Sequence, residues 1–92
     1  MLESTIEKKV VAYCNKRGLL TYKFVSPNNR GVPDRIIMGH SSILFLELKA
    51  PGQKPTLLQE REHRRIGATG HYVLTADSYD AAVGYIDTFF GL

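Results

Sequence analysis

The stretch that decides the fold is GVPDRIIMGHSSILFLELKA, residues 31–50. Residues 34–38 and 42–49 are rich in β-branched, aromatic or aliphatic side chains, and residues 39–41 between them are typical of a turn. This pattern predicts a β-hairpin.

The register of this hairpin determines which polar side chains meet. If Met38 faces Ile43, the same register places Asp34 opposite Glu47, on one face of the sheet. Lys49 then lies just beyond Glu47 on that face. A slip of one residue would separate these groups.

The two faces of the predicted hairpin are both apolar. The face shared with Asp34 and Glu47 consists of Ile36, Met38, Ile43 and Phe45. The other face consists of Ile37, Leu44, Leu46 and Leu48. Because a strand that is apolar on both faces is normally buried on both, we expect helices on each side of the sheet.

The opposed carboxylates predict a metal site. Like charges facing each other across a strand pair are destabilising, and a shared divalent cation would remove that repulsion. Oxygen ligands suit Mg²⁺ or Mn²⁺. The alternative is a solvated strand end where Glu47 and Lys49 simply pair, but Asp34 behind the Gly31–Pro33 turn favours the metal site.

The remaining sequence predicts one α/β domain, residues 1–92, with the order αβββαβα. We expect a mixed sheet flanked by helices. The predicted elements outside the hairpin are a helix over residues 3–17, a strand over 19–25, a helix from Thr56 to about Ala68, a strand over 71–75, and a helix capped by Asp77 or Ser78. Their apolar stripes are Ile6, Val10, Tyr13 and Cys14 in the first helix and Tyr79, Val83, Ile86 and Phe90 in the last.

Two polar residues near the predicted helix starts have two interpretations each. Glu7 lies beside the buried stripe, so its carboxylate could face the hairpin, but residues 4–7 (STIE) also match a capping box. Gln59 could point back to the metal site, or it could complete a capping box with Thr56. Neither alternative is decided by the sequence.

Composition restricts the class of protein. A net charge of +3 and a pI near 9.2 are compatible with nucleic-acid binding without requiring it. The single cysteine, Cys14, excludes an intrachain disulfide and fits a reducing compartment. The N-terminus does not resemble a secretory signal, and we expect a cytoplasmic protein. The three histidines lack the spacing of a zinc site.

The second predicted helix is strongly basic. Arg61, His63, Arg64 and Arg65 are assigned to its exposed side, and Leu57, Leu58 and Ile66 are available for packing. Such a charge run is typical of a solvated face, but beside a metal site it could also follow a phosphodiester backbone. The residues expected to contact DNA are Arg30, Lys54, Arg61, Arg64 and Arg65.

Several segments resemble the PD-(D/E)XK nuclease superfamily, and within it the stand-alone VRR-NUC (virus-type replication-repair nuclease) domain of phages and bacteria. The segments are KFVSPNNRGVPDR, FLELKAPGQKP and LLQEREHRR, with Glu7 in the first helix. The resemblance covers nearly the whole chain and implies a restriction-endonuclease-like core.

The resemblance implies a metal-dependent endonuclease. Asp34 and Glu47 would ligate Mg²⁺ or Mn²⁺ with the main-chain carbonyl of Leu48, and Lys49 would orient the attacking water. Glu7 would be the acid of the first helix, with Glu3 as the alternative. The family glutamine corresponds to Gln59.

Small stand-alone members are similar to Holliday-junction resolvases, which act as homodimers. A two-fold dimer suits the cutting of two equivalent strands, and Tyr79, Tyr85, Phe89 and Phe90 are candidates for its apolar patch. The competing hypotheses are a DNA-binding module that holds a structural ion without nuclease activity, and a protein-interaction domain.

Overall fold

A computed structural model describes residues 1–92 and confirms the predicted order αβββαβα. The elements are α1 (Glu3–Lys16), β1 (Leu20–Lys23), β2 (Arg35–Gly39), β3 (Ser42–Leu48), α2 (Leu57–Gly67), β4 (Tyr72–Ala76) and α3 (Tyr79–Phe90). The four strands form one mixed sheet in the order β1-β2-β3-β4. The first three are antiparallel, and β4 runs parallel to β3 after the crossover through α2.

The hairpin formed by β2 and β3 has the predicted register. Met38 pairs with Ile43 and Gly39 with Ser42, which leaves a two-residue turn. Both turn residues, His40 and Ser41, have positive φ angles of 50° and 61°, the backbone that a tight hairpin with right-handed strand twist requires. The register therefore places Asp34, just before β2, beside the end of β3.

One face of the sheet packs against α1 and α3 and forms the core. The four strand residues predicted for this face have no exposed surface, and they contact the buried stripes of the two helices. The buried residues are Ile37, Leu44, Leu46, Leu48 and Ala76 from the strands, Ile6, Val10 and Cys14 from α1, Leu19 just before β1, and Ala82, Ile86 and Phe90 from α3. Cys14 has the structural role of a small apolar residue.

The start of α1 differs from one of the two predicted interpretations. The helix begins after Leu2 with no side-chain cap, so the capping box predicted over residues 4–7 is wrong. The physical reason is that the helix starts two residues earlier than that box requires. In contrast, the Thr56–Gln59 capping box at the start of α2 is present with both hydrogen bonds, and Ser78 caps α3.

The other face of the sheet is covered by α2, whose orientation differs from the prediction. In the sequence Leu57 and Leu58 are available for packing, but in the structure they are 83% and 43% exposed. The inward side consists of Gln59, Glu62, His63 and Ile66, which follow helical spacing. His63 is therefore not on the exposed side, because the helix presents polar side chains to the polar end of the sheet. None of the three helices combines the length and the apolar character that a membrane-spanning helix needs.

Candidate active site

Asp34 is held by two hydrogen bonds, one to the residue that follows β1 and one to the last residue of β3. Its main-chain carbonyl accepts from the Phe24 amide at 2.8 Å, and its Oδ2 accepts from the Leu48 amide at 2.8 Å. Pro33 before it is buried and favours an extended approach to the strand. These contacts fix the Asp34 carboxylate next to Glu47.

Glu47 is a buried acid in an environment that disfavours its charge. The residue is only 1% exposed, and its Oε2 lies 3.3 Å from the Lys49 ammonium. Burial raises the pKa of the Glu47 carboxyl to about 7, with repulsion from Asp34 adding to the rise and Lys49 opposing it. The Lys49 ammonium therefore offsets only part of the effect that burial and the Asp34 carboxylate have on Glu47.

His63 from α2 completes this cluster and was not predicted as a site residue. Its Nε2 lies 3.7 Å from Glu47 Oε1, and both atoms are buried without a hydrogen-bond partner. Burial also lowers the pKa of the His63 imidazole. The signal that could have found it is its position four residues after Gln59 and three before Ile66, on the inward side of α2.

The polar atoms of this cluster are suited to binding a divalent cation. Glu47 Oε1 is buried without a hydrogen-bond partner, and a buried carboxylate oxygen is stable only when it binds a proton, a hydrogen-bond donor or a cation. No three His, Cys, Asp or Glu side chains lie close enough to form a complete metal site. A cation such as Mg²⁺ often uses one or two carboxylates and completes its coordination with water and substrate phosphate, so the residues present fit it.

The two acids of α1 have different surroundings. Glu7 Oε2 lies 3.2 Å from the Arg35 guanidinium, which also donates to Thr21. Because Arg35 directly follows Asp34, their side chains point to opposite faces of the strand. Glu3, in contrast, is among the charges that raise the pKa of Glu47. The negative charge of Glu3 therefore acts on Glu47, whereas Glu7 forms an ion pair with Arg35.

Gln59 lies at the start of α2 with its side chain engaged in the helix cap. Its Oε1 accepts from the Thr56 amide at 2.9 Å, and its own amide donates to Thr56 Oγ1 at 3.2 Å. The loop that carries Arg30 contacts this same turn, because a Cβ added to Gly31 would lie 2.8 Å from the Leu58 carbonyl oxygen. Gly31 also has a φ of 89°, a conformation that favours glycine.

The predicted basic residues are at the surface. Arg30, Lys54, Arg61 and Arg64 are exposed. Arg65 is also exposed over much of its side chain, but its Nη1 lies 2.7 Å from Glu62 Oε1, so this buried acid offsets its charge. The close packing of Gly31 on α2 keeps the loop of Arg30 next to this helix.

The fold and the cluster together define a class of protein. A mixed sheet flanked by helices carries an aspartate, a glutamate and a lysine where β2 begins and β3 ends, which is the arrangement that the PD-(D/E)XK pattern of the sequence implies. No family model matches the sequence.

The chain is 52% identical over 79 residues to "Putative nuclease p44" of Acyrthosiphon pisum secondary endosymbiont phage 1. The matched residues make up 85% of this chain and 85% of the relative. It is also similar to a solved "VRR_NUC domain" with a TM-score of 0.84 and 26% identity, covering 92% of this chain and 94% of that one. The chain belongs to the VRR-NUC family. A "VRR_NUC domain protein" with 16% identity and a TM-score of 0.80 shares the fold, over 99% of this chain and 89% of its own.

Proposed function

We propose that this protein is a metal-dependent, structure-selective DNA endonuclease that hydrolyses phosphodiester bonds. The observation that carries the proposal is the hairpin register, which sets Asp34 beside Leu48 and Glu47 and leaves Lys49 in contact with Glu47. The phage relative bears the name of a nuclease, which supports the same assignment.

Asp34, Glu47 and the Leu48 carbonyl would hold Mg²⁺ or Mn²⁺. When bound, such a cation supplies a Lewis acid for a phosphoryl oxygen and favours ionisation of water near neutral pH. Lys49 keeps Glu47 Oε2 oriented at 3.3 Å, and its ammonium stabilises the negative charge that develops on the phosphate. Of the α1 acids, Glu3 would act as an additional negative charge near Glu47, whereas Glu7 pairs with Arg35, whose side chain points to the opposite face of the strand from Asp34.

Gln59 has a positioning role in this proposal. Its capping contacts fix the first turn of α2, and that turn sets the position of the rest of the helix, including its inward side. The polar side chain at this position therefore contributes to the site through the helix that it caps.

The basic surface around the site would bind the DNA backbone. Arg30, Lys54, Arg61 and Arg64 are exposed around the loop and helix that flank the site, and exposed cations bind phosphates with affinity that falls as salt rises. Arg65 would contribute less, because it already pairs with Glu62.

Branched DNA such as a four-way junction is the substrate we propose, cleaved by a homodimer. Strand β4 is an edge of the sheet, and it carries the exposed Tyr72 beside Tyr85 and Phe89, which together line a depression of about 920 Å³. Exposed aromatic patches and open strand edges favour protein contacts. Phe90 is part of the buried core and Tyr79 packs against it, and Phe89 contacts the core as well as the depression.

A cleavage panel tests this function. Purified protein is incubated with four-way junction, flap and duplex DNA, with Mn²⁺, with Mg²⁺ and with EDTA. We expect metal-dependent cleavage of branched DNA that Asp34→Asn abolishes. DNA binding without any cleavage, unaffected by Asp34→Asn and Lys49→Ala, would instead identify a binding module, and the absence of both would favour a protein-interaction domain.

A further inference from the structure

We propose that His63 is a direct ligand of the cation, with its Nε2 and Glu47 Oε1 binding the same ion. This inference rests on the proposed function, because it concerns the ion that the nuclease would use. It adds an imidazole nitrogen from α2 to the oxygen ligands contributed by the hairpin.

The first argument is the pairing of two unsatisfied atoms. Glu47 Oε1 and His63 Nε2 are the only buried side-chain polar atoms of the chain without a hydrogen-bond partner, and they face each other at 3.7 Å. Buried polar groups are nearly always hydrogen-bonded or bound to metal. Two such atoms at one place therefore indicate a common missing partner.

The second argument is their separation. A distance of 3.7 Å is too long for a hydrogen bond between them. Metal–nitrogen and metal–oxygen bonds are each about 2.0–2.2 Å, so one cation can contact both atoms with only small side-chain movements. The other oxygen of Glu47 already faces Lys49, which leaves Oε1 as the oxygen available to a cation.

The third argument is the composition and rigidity of the surroundings. The site has two carboxyl groups, those of Asp34 and Glu47, and one ammonium, that of Lys49, which lies 3.3 Å from Glu47 Oε2. The imidazole is held on the inward side of α2, with its side chain only 12% exposed, by a helix whose start is fixed by its capping box. A cation would therefore enter a site whose two ligand atoms are already aligned.

The consequence is selectivity among metals. Mg²⁺ prefers oxygen ligands, whereas an imidazole ligand favours transition metals. His63 should therefore raise the affinity for Co²⁺ and Mn²⁺ relative to that for Mg²⁺. For His63→Gln we expect affinity for Mn²⁺ and Co²⁺ to fall at least about tenfold, a size known for groups that only orient metal ligands, with a smaller change for Mg²⁺.

The decisive measurement is electron spin echo modulation from ¹⁴N on wild-type protein loaded with Mn²⁺. We expect the signal of a bound imidazole, its loss in His63→Gln, and its retention in His71→Gln. His71 is a matched control because it is exposed at the other end of the same face. Titration calorimetry with Mn²⁺, Co²⁺ and Mg²⁺ gives the affinities, and circular dichroism checks that each variant is folded.

Each outcome separates this inference from the proposed function. If Mn²⁺ binds and DNA is cleaved but no ¹⁴N modulation appears in the wild type, His63 is not a ligand and the nuclease assignment stands. If the signal persists in a folded His63→Gln, the inference is also overturned. If neither Mn²⁺ nor Co²⁺ binds and no DNA is cleaved, both proposals fail.

Discussion

The two faces of the sheet have different compositions and different roles. The strand residues that are fully buried on the face against α1 and α3 are all apolar, and four of them have no exposed surface. The face against α2 buries Glu47 and Glu62 and brings His63 inward. Because burying charges costs free energy that their pairing recovers only in part, we infer that the first face supplies stability and the second is arranged for chemistry.

The largest expected effect comes from removing the positive charge on the α2 face. Lys49→Ala should reduce metal-dependent DNA cleavage on the order of 10²–10³-fold, the usual effect of losing one group that stabilises transition-state charge. The ammonium lies 3.3 Å from Glu47, so its loss also leaves that carboxylate without its cationic partner. Single-turnover cleavage of junction DNA measures the effect.

Lys54→Ala is the matched control for this prediction. Lys54 is exposed and lies outside the cluster, so its replacement should change DNA affinity modestly and leave the single-turnover rate at saturating protein almost unchanged. An equal loss of rate in both variants would contradict a specific role for Lys49.

The next largest effect is on stability, and it compares a buried leucine of the α1–α3 face with an exposed leucine of α2. Leu44→Ala empties a fully buried position on the α1–α3 face and should lower the free energy of unfolding by about 2–5 kcal/mol. Leu57→Ala, at a position that is 83% exposed, should change it by less than about 0.5 kcal/mol. Urea denaturation measures both, and similar losses would mean that α2 packs through Leu57 after all.

The hairpin was the most predictable part of the molecule. Its register follows from period-two burial and a short turn, since a slip of one residue would expose one buried face. The fold and family follow from the same segments. The sequence does not decide whether Asp77 or Ser78 caps α3, because both residues are good helix caps and only the backbone path distinguishes them.

The part that escaped prediction concerns how α2 lies on the sheet. The sequence places Leu57 and Leu58 in its first turn, and apolar residues normally face a core. The inward side instead carries Glu62 and His63, because α2 covers the polar end of the sheet. That choice depends on tertiary contacts, including the close approach of Gly31, which no local pattern encodes. The ion pair of Glu7 with Arg35 is a further example, because the two residues are 28 positions apart in the sequence.

A third prediction uses the pKa of Glu47. Because burial raises the pKa of the Glu47 carboxyl to about 7 in the folded protein, from the ordinary glutamate value of 4.5, the folded state prefers the protonated acid. The free energy of unfolding of the metal-free protein should therefore fall as pH rises from about 4.5 to about 7. The total loss above that range should be about 3 kcal/mol. In Glu47→Gln this contribution should be absent.

The measurement is the difference in unfolding free energy between wild type and Glu47→Gln, followed from pH 4.5 to 8 in EDTA. Both proteins carry His63→Gln in this comparison, because the lowered pKa of His63 destabilises the fold as pH falls, and His63 lies too close to Glu47, at 3.7 Å, for its trend to cancel in the difference. A difference that does not change with pH would contradict the raised pKa. Saturating Mn²⁺ should stabilise the wild type above pH 7 more than the variant.

The smallest expected effect compares helix caps on the two faces. Thr56 caps α2, accepting from the Gln59 amide, and Ser78 caps α3, accepting from the Ala81 amide. Replacing either hydroxyl by alanine should lower the free energy of unfolding by about 1 kcal/mol. Only Thr56→Ala should also weaken Mn²⁺ binding, because α2 positions His63 beside Glu47 whereas α3 packs on the opposite face. Calorimetric titration with Mn²⁺ on both variants decides it: equal Mn²⁺ affinities at equal losses of stability would mean that the orientation of α2 does not control the cation site.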